Sequence, residues 1–336
     1  MINVGINGFG RIGRLVARII LKEYKGKINL VAVNTSGRME TAGWAHLFLY
    51  DTAYGTYQGK VEVKGNNMVV DGIKIPVLAM PNPETIPWDK YQTQVVIEST
   101  GVFRKENDIK KHLGNTVKKV ILSAPAKEGN VPMYVIGVNE DKIGHDNIIS
   151  CASCTTNCVA PVVKVIDENF GIVKGLMTTI HAYTSDQSLL DGSHKDLRRA
   201  RSAAANIIPT TTGAARATGK VYPAVSGIFD GLAVRVPVIT GSLTDFTFVT
   251  KNKTDIEKVN NAFSKASHGK LKGILGVTDK PIVSSDIIGL KRSTLVDLSL
   301  TNVIEGDLVK VIAWYDNEWG YAHRLVEETV LLGAKL

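Results

Sequence analysis

The sequence predicts an α/β chain of about two domains, and three observations carry that prediction. Its 336 residues exceed the ~100–200 of one ordinary domain. It opens on a short apolar strand, a glycine-rich turn and a run with helical spacing. Short apolar strands then recur up to residue 150, several of them ending in Ser- and Thr-bearing turns, as in an open sheet of largely parallel strands.

Composition narrows the class. With 44% apolar and 21% charged residues, the chain can bury two cores and is not a disordered polymer. The start, MINVGINGFG, lacks the basic-then-apolar layout of a secretory leader, and no apolar run approaches ~18 residues. The expectation is a cytoplasmic protein without a membrane span, whose thiols stay reduced. The net charge is +8, yet the densest basic cluster, His194–Arg201, is short and carries no interleaved aromatics. Such a field draws small phosphorylated anions, and no dedicated nucleic-acid partner is expected.

Met1–Ile6 reads as the first strand. It runs into Asn7-Gly8-Phe9-Gly10-Arg11-Ile12-Gly13, and Arg14–Tyr24 follows with helical spacing. Glycines 8, 10 and 13 match G-x-G-x-x-G in the strand–turn–helix setting of a Rossmann-type dinucleotide-binding domain. They permit a tight turn and close backbone approach, and the helix start receives a pyrophosphate. The plainer alternative is a glycine turn that serves strand–helix packing alone. A second strand, Asn29–Asn34, arrives at the distance the cofactor reading requires. At its end an acidic residue would bind the adenosine ribose 2′-hydroxyl. The chain has Val33-Asn34-Thr35-Ser36-Gly37-Arg38 there instead. Two hydroxyls and a guanidinium without a carboxylate suit a 2′-phosphate, which points to NADP(H); the alternative is a polar loop whose arginine faces water. Further strands are expected at Val61–Lys64, Met68–Val70, Ile73–Leu78, Val95–Glu98, Val117–Leu122 and Met133–Val138. Ser99-Thr100-Gly101 and Ser123-Ala124-Pro125 follow two of them, at positions that line the crevice of such a sheet.

All three cysteines fall within Ser150-Cys151-Ala152-Ser153-Cys154-Thr155-Thr156-Asn157-Cys158. Asn147–Ser150 reads as a strand end and Thr155–Phe170 as a helix with Ser153 as its N-cap. Cys154 then lies in the first turn, where unpaired amides and the helix dipole favour a thiolate. Cys158 sits one turn deeper and faces inward. A metal site needs four soft ligands, and the seven histidines are scattered, so no metal is expected. The Cys151-x-x-Cys154 spacing is also that of a redox pair. A nucleophile needs a base, and strand Leu176–Ile180 delivers His181, followed by Ala182-Tyr183-Thr184. An imidazole at a strand end beside hydroxyls suits a base that activates Cys154; a core histidine is the plainer reading of that strand alone.

Four blocks carry a resemblance: Ala152–Cys158, His181-Ala182-Tyr183-Thr184, Ile207-Ile208-Pro209-Thr210-Thr211-Thr212-Gly213-Ala214-Ala215, and Trp314-Tyr315-Asp316-Asn317-Glu318. With Asn7–Gly13 they closely resemble phosphorylating glyceraldehyde-3-phosphate dehydrogenase, in order and along essentially the whole chain. The resemblance implies that Cys154 attacks the aldehyde of glyceraldehyde 3-phosphate and that a thiohemiacetal gives up hydride to a nicotinamide. Inorganic phosphate then cleaves the resulting thioester to 1,3-bisphosphoglycerate, with His181 assisting proton transfer. It implies that Thr184 and Arg235 hold the substrate's C3 phosphate. Ser153, Thr155, Thr212, Gly213 and Arg199 would hold the attacking phosphate, with Arg198 as an alternative to Arg199. Asn317 would meet the nicotinamide carboxamide, and Tyr321 would pack near its ring. The expected architecture is a Rossmann-type domain, residues 1–153 with 319–336, plus an α+β catalytic domain, residues 154–318, with a mostly antiparallel sheet. An S-shaped loop at about 185–206 would approach a neighbour's cofactor in a homotetramer.

Three departures from the commoner family pattern matter. Many members carry Asn-Asp where this chain has Asn34-Thr35, and a frequent Leu-Pro is replaced by Gly192-Ser193. The second change resembles NADP-using photosynthetic members, so Ser193 joins the cofactor candidates and NADP(H) is expected to be preferred, with NAD(H) use possible. Cys151 replaces a small or polar residue, and oxidation is expected to be able to pair it with Cys154. Rival readings are an erythrose-4-phosphate dehydrogenase and, in another class, a nucleic-acid-binding or surface-interaction protein.

Overall fold

Eight strands of the N-terminal half and eight of the C-terminal half form two separate sheets in the computed structural model, which describes residues 1–336. One compact unit comprises Met1–Tyr134, Glu140–Ala152 and Ala322–Leu336; the other comprises Val135–Asn139 and Ser153–Tyr321. No helix is long and apolar enough to cross a membrane.

The first unit contains β1 (Ile2–Asn7), β2 (Ile28–Asn34), β3 (Val61–Lys64), β4 (Asn67–Val70), β5 (Ile73–Leu78), β6 (Val95–Glu98), β7 (Lys119–Leu122) and β8 (Ile148–Ser150). Its helices are α1 (Arg11–Glu23), α2 (Thr41–Leu49) and α3 (Glu106–Lys110). The strand order is β3-β4-β5-β2-β1-β6-β7-β8. From β5 to β8 every pair is parallel, the Rossmann arrangement, and the order reverses at β1. Such a reversal leaves a crevice at the carboxyl ends of the strands. The register sets Asn34, Asn7 and Glu98 side by side along that edge. Strands β6 and β7 are buried throughout, as strands covered on both faces require. Leu15, Val16, Ile19 and Ile20 of α1, which packs on β2, are almost wholly buried.

One expected strand does not form. Met133 makes only an isolated bridge to Ser150, and Val135–Asn139 joins the second unit. The Asn139 side chain accepts the Val135 N–H at 2.8 Å and curls the segment into a turn. Lys164 Nζ then donates to the carbonyls of Gly137 and Val138, each at 3.2 Å. The apolar run of 133–138 therefore serves packing rather than a sheet ladder.

The second unit holds α4 (Cys154–Phe170), β9 (Ile172–Ala182), β10 (Ile208–Thr211), α5 (Ala214–Val221), β11 (Phe229–Val236), β12 (Ser242–Thr250) and α6 (Ile256–His268). It continues with β13 (Leu275–Thr278), β14 (Thr294–Asp297), β15 (Asn302–Ile304) and β16 (Leu308–Tyr315), and α7 (Trp319–Gly333) follows. The sheet order is β10-β11-β9-β12-β16-β14-β13, with β15 on β16. It is mostly antiparallel; only β11–β9 and β13–β14 run parallel. Helix α4 lays Cys158, Val159, Val162, Val163 and Ile166 into a core shared with Phe246, Phe248, Phe263, Val309 and Val311. Burying each such side chain contributes about 1.5–3 kcal/mol, which explains why α4 continues past Pro161 despite the lost backbone donor. Along α7, residues Ala322, Leu325, Val326 and Leu332 are fully buried.

Candidate active site

Cys154 is the first residue of α4, because Ser153 caps the helix: its Oγ accepts the Thr156 N–H at 3.1 Å. The cap leaves Cys154 at the positive end of the helix dipole. Its Sγ lies 3.5 Å from His181 Nε2, near the end of β9. His181 Nδ1 is 2.6 Å from the Ala182 carbonyl and 3.1 Å from Arg235 Nη1. A carbonyl only accepts, so the shorter contact puts the proton on Nδ1 and leaves the Nε2 lone pair toward the sulfur. The Arg235 N–H goes instead to Ala182 O at 3.1 Å or Thr184 Oγ1 at 3.0 Å.

Burial pushes the Cys154 thiol up, against the lowering effect of the Thr155 hydroxyl and the Arg235 charge. Burial, reinforced by Arg235, pushes His181 down to about 3. Arg235 thus favours an anionic sulfur and opposes an imidazolium. Both directions favour a neutral thiol and a neutral imidazole at rest and work against the thiolate that the helix start favours. Tyr315 closes the floor. Its phenol contacts Thr155 Oγ1 at 3.0 Å and Thr179 Oγ1 at 2.8 Å, and its ring lies edge-on to His181 with centroids 5.9 Å apart.

Anion-binding groups collect beside this pair. Parallel pairing of β9 and β11 sets Arg235 opposite His181. Arg199 Nη1 meets Asp186 Oδ2 at 2.7 Å, its Nε donates to Thr210 Oγ1 at 2.9 Å, and its Nη2 donates to Thr211 O at 3.1 Å. The Thr184 hydroxyl donates to Asp186 Oδ1. Burial alone would raise the Asp186 carboxyl, but Thr184, Arg235 and Arg199 hold it below the usual carboxylate range. Asp186 thus occupies, as an internal anion, the groups expected to hold a phosphate. Sequence reasoning missed it, since an acid among anion-binding residues runs against simple charge logic. Of the two adjacent arginines, Arg199 joins this cluster, while Arg198 is exposed and lines a groove with Thr211, Thr212 and Arg216. Thr212 caps the turn into α5 by accepting the Ala214 N–H at 3.2 Å, and Gly213 is the N-cap residue of α5.

In the first unit the glycine turn has the features of a dinucleotide cradle. Gly8 has φ +98°, and a Cβ there would lie 2.5 Å from the Thr100 nitrogen. A Cβ on Gly13 would lie 2.0 Å from Gly8 O. Gly10 is different: nothing lies within 4 Å of where its Cβ would be. Gly10 precedes α1 without a side-chain cap, and no acidic residue stands in the first turn. An open helix start free of acidic side chains fits a pyrophosphate. Arg11 is tied to Asp51 at 2.7 Å, and Ile12 is half-buried.

Behind the turn, polar side chains brace one another. Asn34 Nδ2 donates to Asn7 Oδ1 at 2.8 Å, and Asn7 Nδ2 donates to Glu98 Oε2 at 2.6 Å. Glu98 also accepts the Thr100 N–H at 2.8 Å and meets His112 Nε2 at 3.0 Å. Ser99 Oγ donates to Gly8 O at 2.7 Å. Ser123 is half-buried after β7. Thr35 is buried, and its hydroxyl donates to Leu78 O at 2.9 Å, so its proton is committed to the backbone. Ser36 and Arg38 are exposed, as is Ser193.

Asn317, just beyond β16, is buried, and its Oδ1 accepts from Ser242 Oγ at 2.9 Å and from the Gly241 N–H at 3.2 Å. Its Nδ2 amide is thereby the face left to meet a ligand. Tyr321, in the first turns of α7, is buried. Cys151 is fully buried, whereas Cys154 is partly exposed.

A Rossmann unit with an open glycine cradle, followed in the same chain by a unit with a thiol–imidazole pair, defines the class: an NAD-binding oxidoreductase. Comparison with known proteins gives the particular family. Residues 2–106 match "Glyceraldehyde 3-phosphate dehydrogenase, NAD binding domain", and residues 153–317 match "Glyceraldehyde 3-phosphate dehydrogenase, C-terminal domain". The chain is 54% identical to glyceraldehyde-3-phosphate dehydrogenase 2 of Streptomyces avermitilis, over 100% of this chain and 99% of the relative. It is 53% identical to glyceraldehyde-3-phosphate dehydrogenase of Thermotoga maritima over 99% of each, and 50% identical to that of Mycobacterium tuberculosis over 100% and 99%. The chain belongs to the glyceraldehyde-3-phosphate dehydrogenase family.

Proposed function

We propose that the chain is a phosphorylating glyceraldehyde-3-phosphate dehydrogenase with a preference for NADP(H). The observation that carries this reading is the Cys154 Sγ–His181 Nε2 distance of 3.5 Å beside the Arg235, Thr184 and Arg199 cluster. Neutral Nε2 takes the thiol proton as the sulfur adds to the aldehyde and returns it to the carbonyl oxygen, giving a thiohemiacetal and a neutral imidazole again. A bound nicotinamide supplies the hydride acceptor. The imidazole removes the hemiacetal hydroxyl proton as the carbonyl reforms, leaving an acyl thioester on Cys154. Inorganic phosphate attacks that thioester, and the sulfur leaves. Arg235 lowers the cost of negative charge at both the departing and the attacking stage.

Thr184 and Arg235 hold the substrate phosphate in this reading, once it displaces the Asp186 carboxylate from Thr184. Ser153, Thr155, Arg199, Thr212 and Gly213 serve the attacking phosphate. The absence of a carboxylate at 34–38 supports NADP(H), and exposed Ser36 and Arg38 are the groups assigned to a 2′-phosphate. Thr35 supports the loop from below through Leu78 O rather than donating to the ligand. Leu189, Leu190, Leu197 and Ile207 stand 71–80% exposed on and just after the 185–206 loop, which supports its burial in a homotetramer.

Initial rates with glyceraldehyde 3-phosphate and phosphate, NAD against NADP, test the proposal. A higher kcat/KM with NAD(H) refutes the cofactor preference. Faster turnover of erythrose 4-phosphate, indifferent to inorganic phosphate, refutes the substrate assignment.

A further inference from the structure

Ser242 opens β12, the strand that lies between β9 and β16. β9 ends at His181 and Ala182, while β16 runs out through Tyr315 toward Asn317. The first residue of the intervening strand is therefore placed to reach both. Ser242 is 1% exposed and pairs in register with Tyr315. Its oxygen accepts the Ala182 N–H at 3.1 Å and contacts Asn317 Oδ1 at 2.9 Å. A hydroxyl has one proton, and the backbone N–H supplies its own, so the serine proton goes to Asn317.

Each partner is tied to the chemistry. Ala182 carries the carbonyl that takes the His181 Nδ1 proton at 2.6 Å and thereby fixes which nitrogen faces Cys154. Asn317 Oδ1 has two other donors nearby, Gly241 N at 3.2 Å and Thr240 Oγ1 at 3.3 Å. Thr240 has Asp316 Oδ1 closer, at 3.1 Å, so Ser242 makes the shortest bond to the amide oxygen.

We propose that Ser242 is a positioning residue for both halves of the reaction: through Ala182 it aims the His181 imidazole at Cys154, and through Asn317 it turns an amide N–H toward the nicotinamide carboxamide. The second half rests on the reading of Asn317 given above. Ser242 acts only through these two residues.

The test is Ser242→Ala in the full-length chain, a change small enough to preserve the strand. The dinucleotide KM should rise about five- to tenfold while the KM for inorganic phosphate stays unchanged. In the absence of dinucleotide, the pH profile of Cys154 alkylation by iodoacetamide should shift from that of wild type. A lower melting temperature with both readouts unmoved overturns the proposal, as does movement of only one of them. A wild-type chain that reduces neither NAD nor NADP instead overturns the functional reading on which the proposal stands.

Discussion

Cys154 and His181 are chemically matched by position rather than by resting charge. The helix start and Arg235 favour a sulfur anion, but packing withdraws the site from water and holds the imidazole neutral with its Nε2 lone pair toward the thiol. In the proposed mechanism, deprotonation is thereby coupled to substrate attack. Cys154→Ala should abolish turnover in a steady-state assay while leaving dinucleotide binding within about twofold of wild type. At the cofactor end, Arg38 is exposed, and the proposed reading assigns its guanidinium to a 2′-phosphate. Arg38→Ala should lower kcat/KM with NADP(H) about tenfold and leave the NAD(H) value nearly unchanged. Thr35 illustrates what residue identity alone misses. Its hydroxyl looks like a ligand donor in the sequence, yet it is bonded to Leu78 O, because β2 and β5 run side by side at that point.

At the scale of elements, local signals and packing agree in some places and conflict in others. Ser153 announces α4, and the cap it forms is the one the sequence anticipates. Ser153→Ala should cost about 1 kcal/mol, read from a denaturant midpoint, with slower Cys154 alkylation as the helix start frays. The glycine turn is equally legible, but the reasons for its glycines differ. Gly13 is required by the chain's own packing on Gly8 O, whereas Gly10 leaves open space at the helix start. Gly13→Ala should therefore destabilise the protein by about 1–3 kcal/mol and weaken dinucleotide binding, as measured by thermal unfolding and titration. Pro161 and Val135–Asn139 are the conflicts. A proline inside a helix and an apolar segment that does not pair are both decided by what packs against them.

At the scale of the whole molecule, two buried titratable groups pull the stability–pH curve in opposite directions. Glu328 on α7 is fully buried, with the Cys151 thiol beside its carboxyl. Burial raises its carboxyl well above the usual range, despite the nearby Cys151 thiol and Arg324; Glu327 and Glu140 add to the rise. The folded state then binds more protons than the unfolded state above about pH 4.5, so stability is lost as pH rises from there through the folded value. His181 has the reverse sign. Its folded value of about 3 means that the unfolded state binds more protons up to about pH 6.5, so stability grows with pH across that window. Glu328→Gln should remove the first contribution alone. It should raise the melting temperature at pH 7–8, flatten the decline above pH 6.5 and steepen the rise between pH 4.5 and 6.5, leaving the curve below pH 4.5 unchanged.

The sequence by itself determined the Rossmann beginning and the family and pointed to Cys154 and His181 as the proposed reacting pair, because each depends on short-range order: glycines at fixed offsets, a cap one residue before a cysteine, a histidine closing an apolar strand. Tertiary structure decided which groups share a site. Asp186 meets Arg199, Arg235 stands opposite His181, and Ser242 bridges Ala182 and Asn317 only because β9, β11, β12 and β16 lie in that order. It also decided the proton positions, since the low polarity that raises the Cys154 thiol and depresses His181 comes from packing around both groups, and no stretch of the chain carries that environment alone.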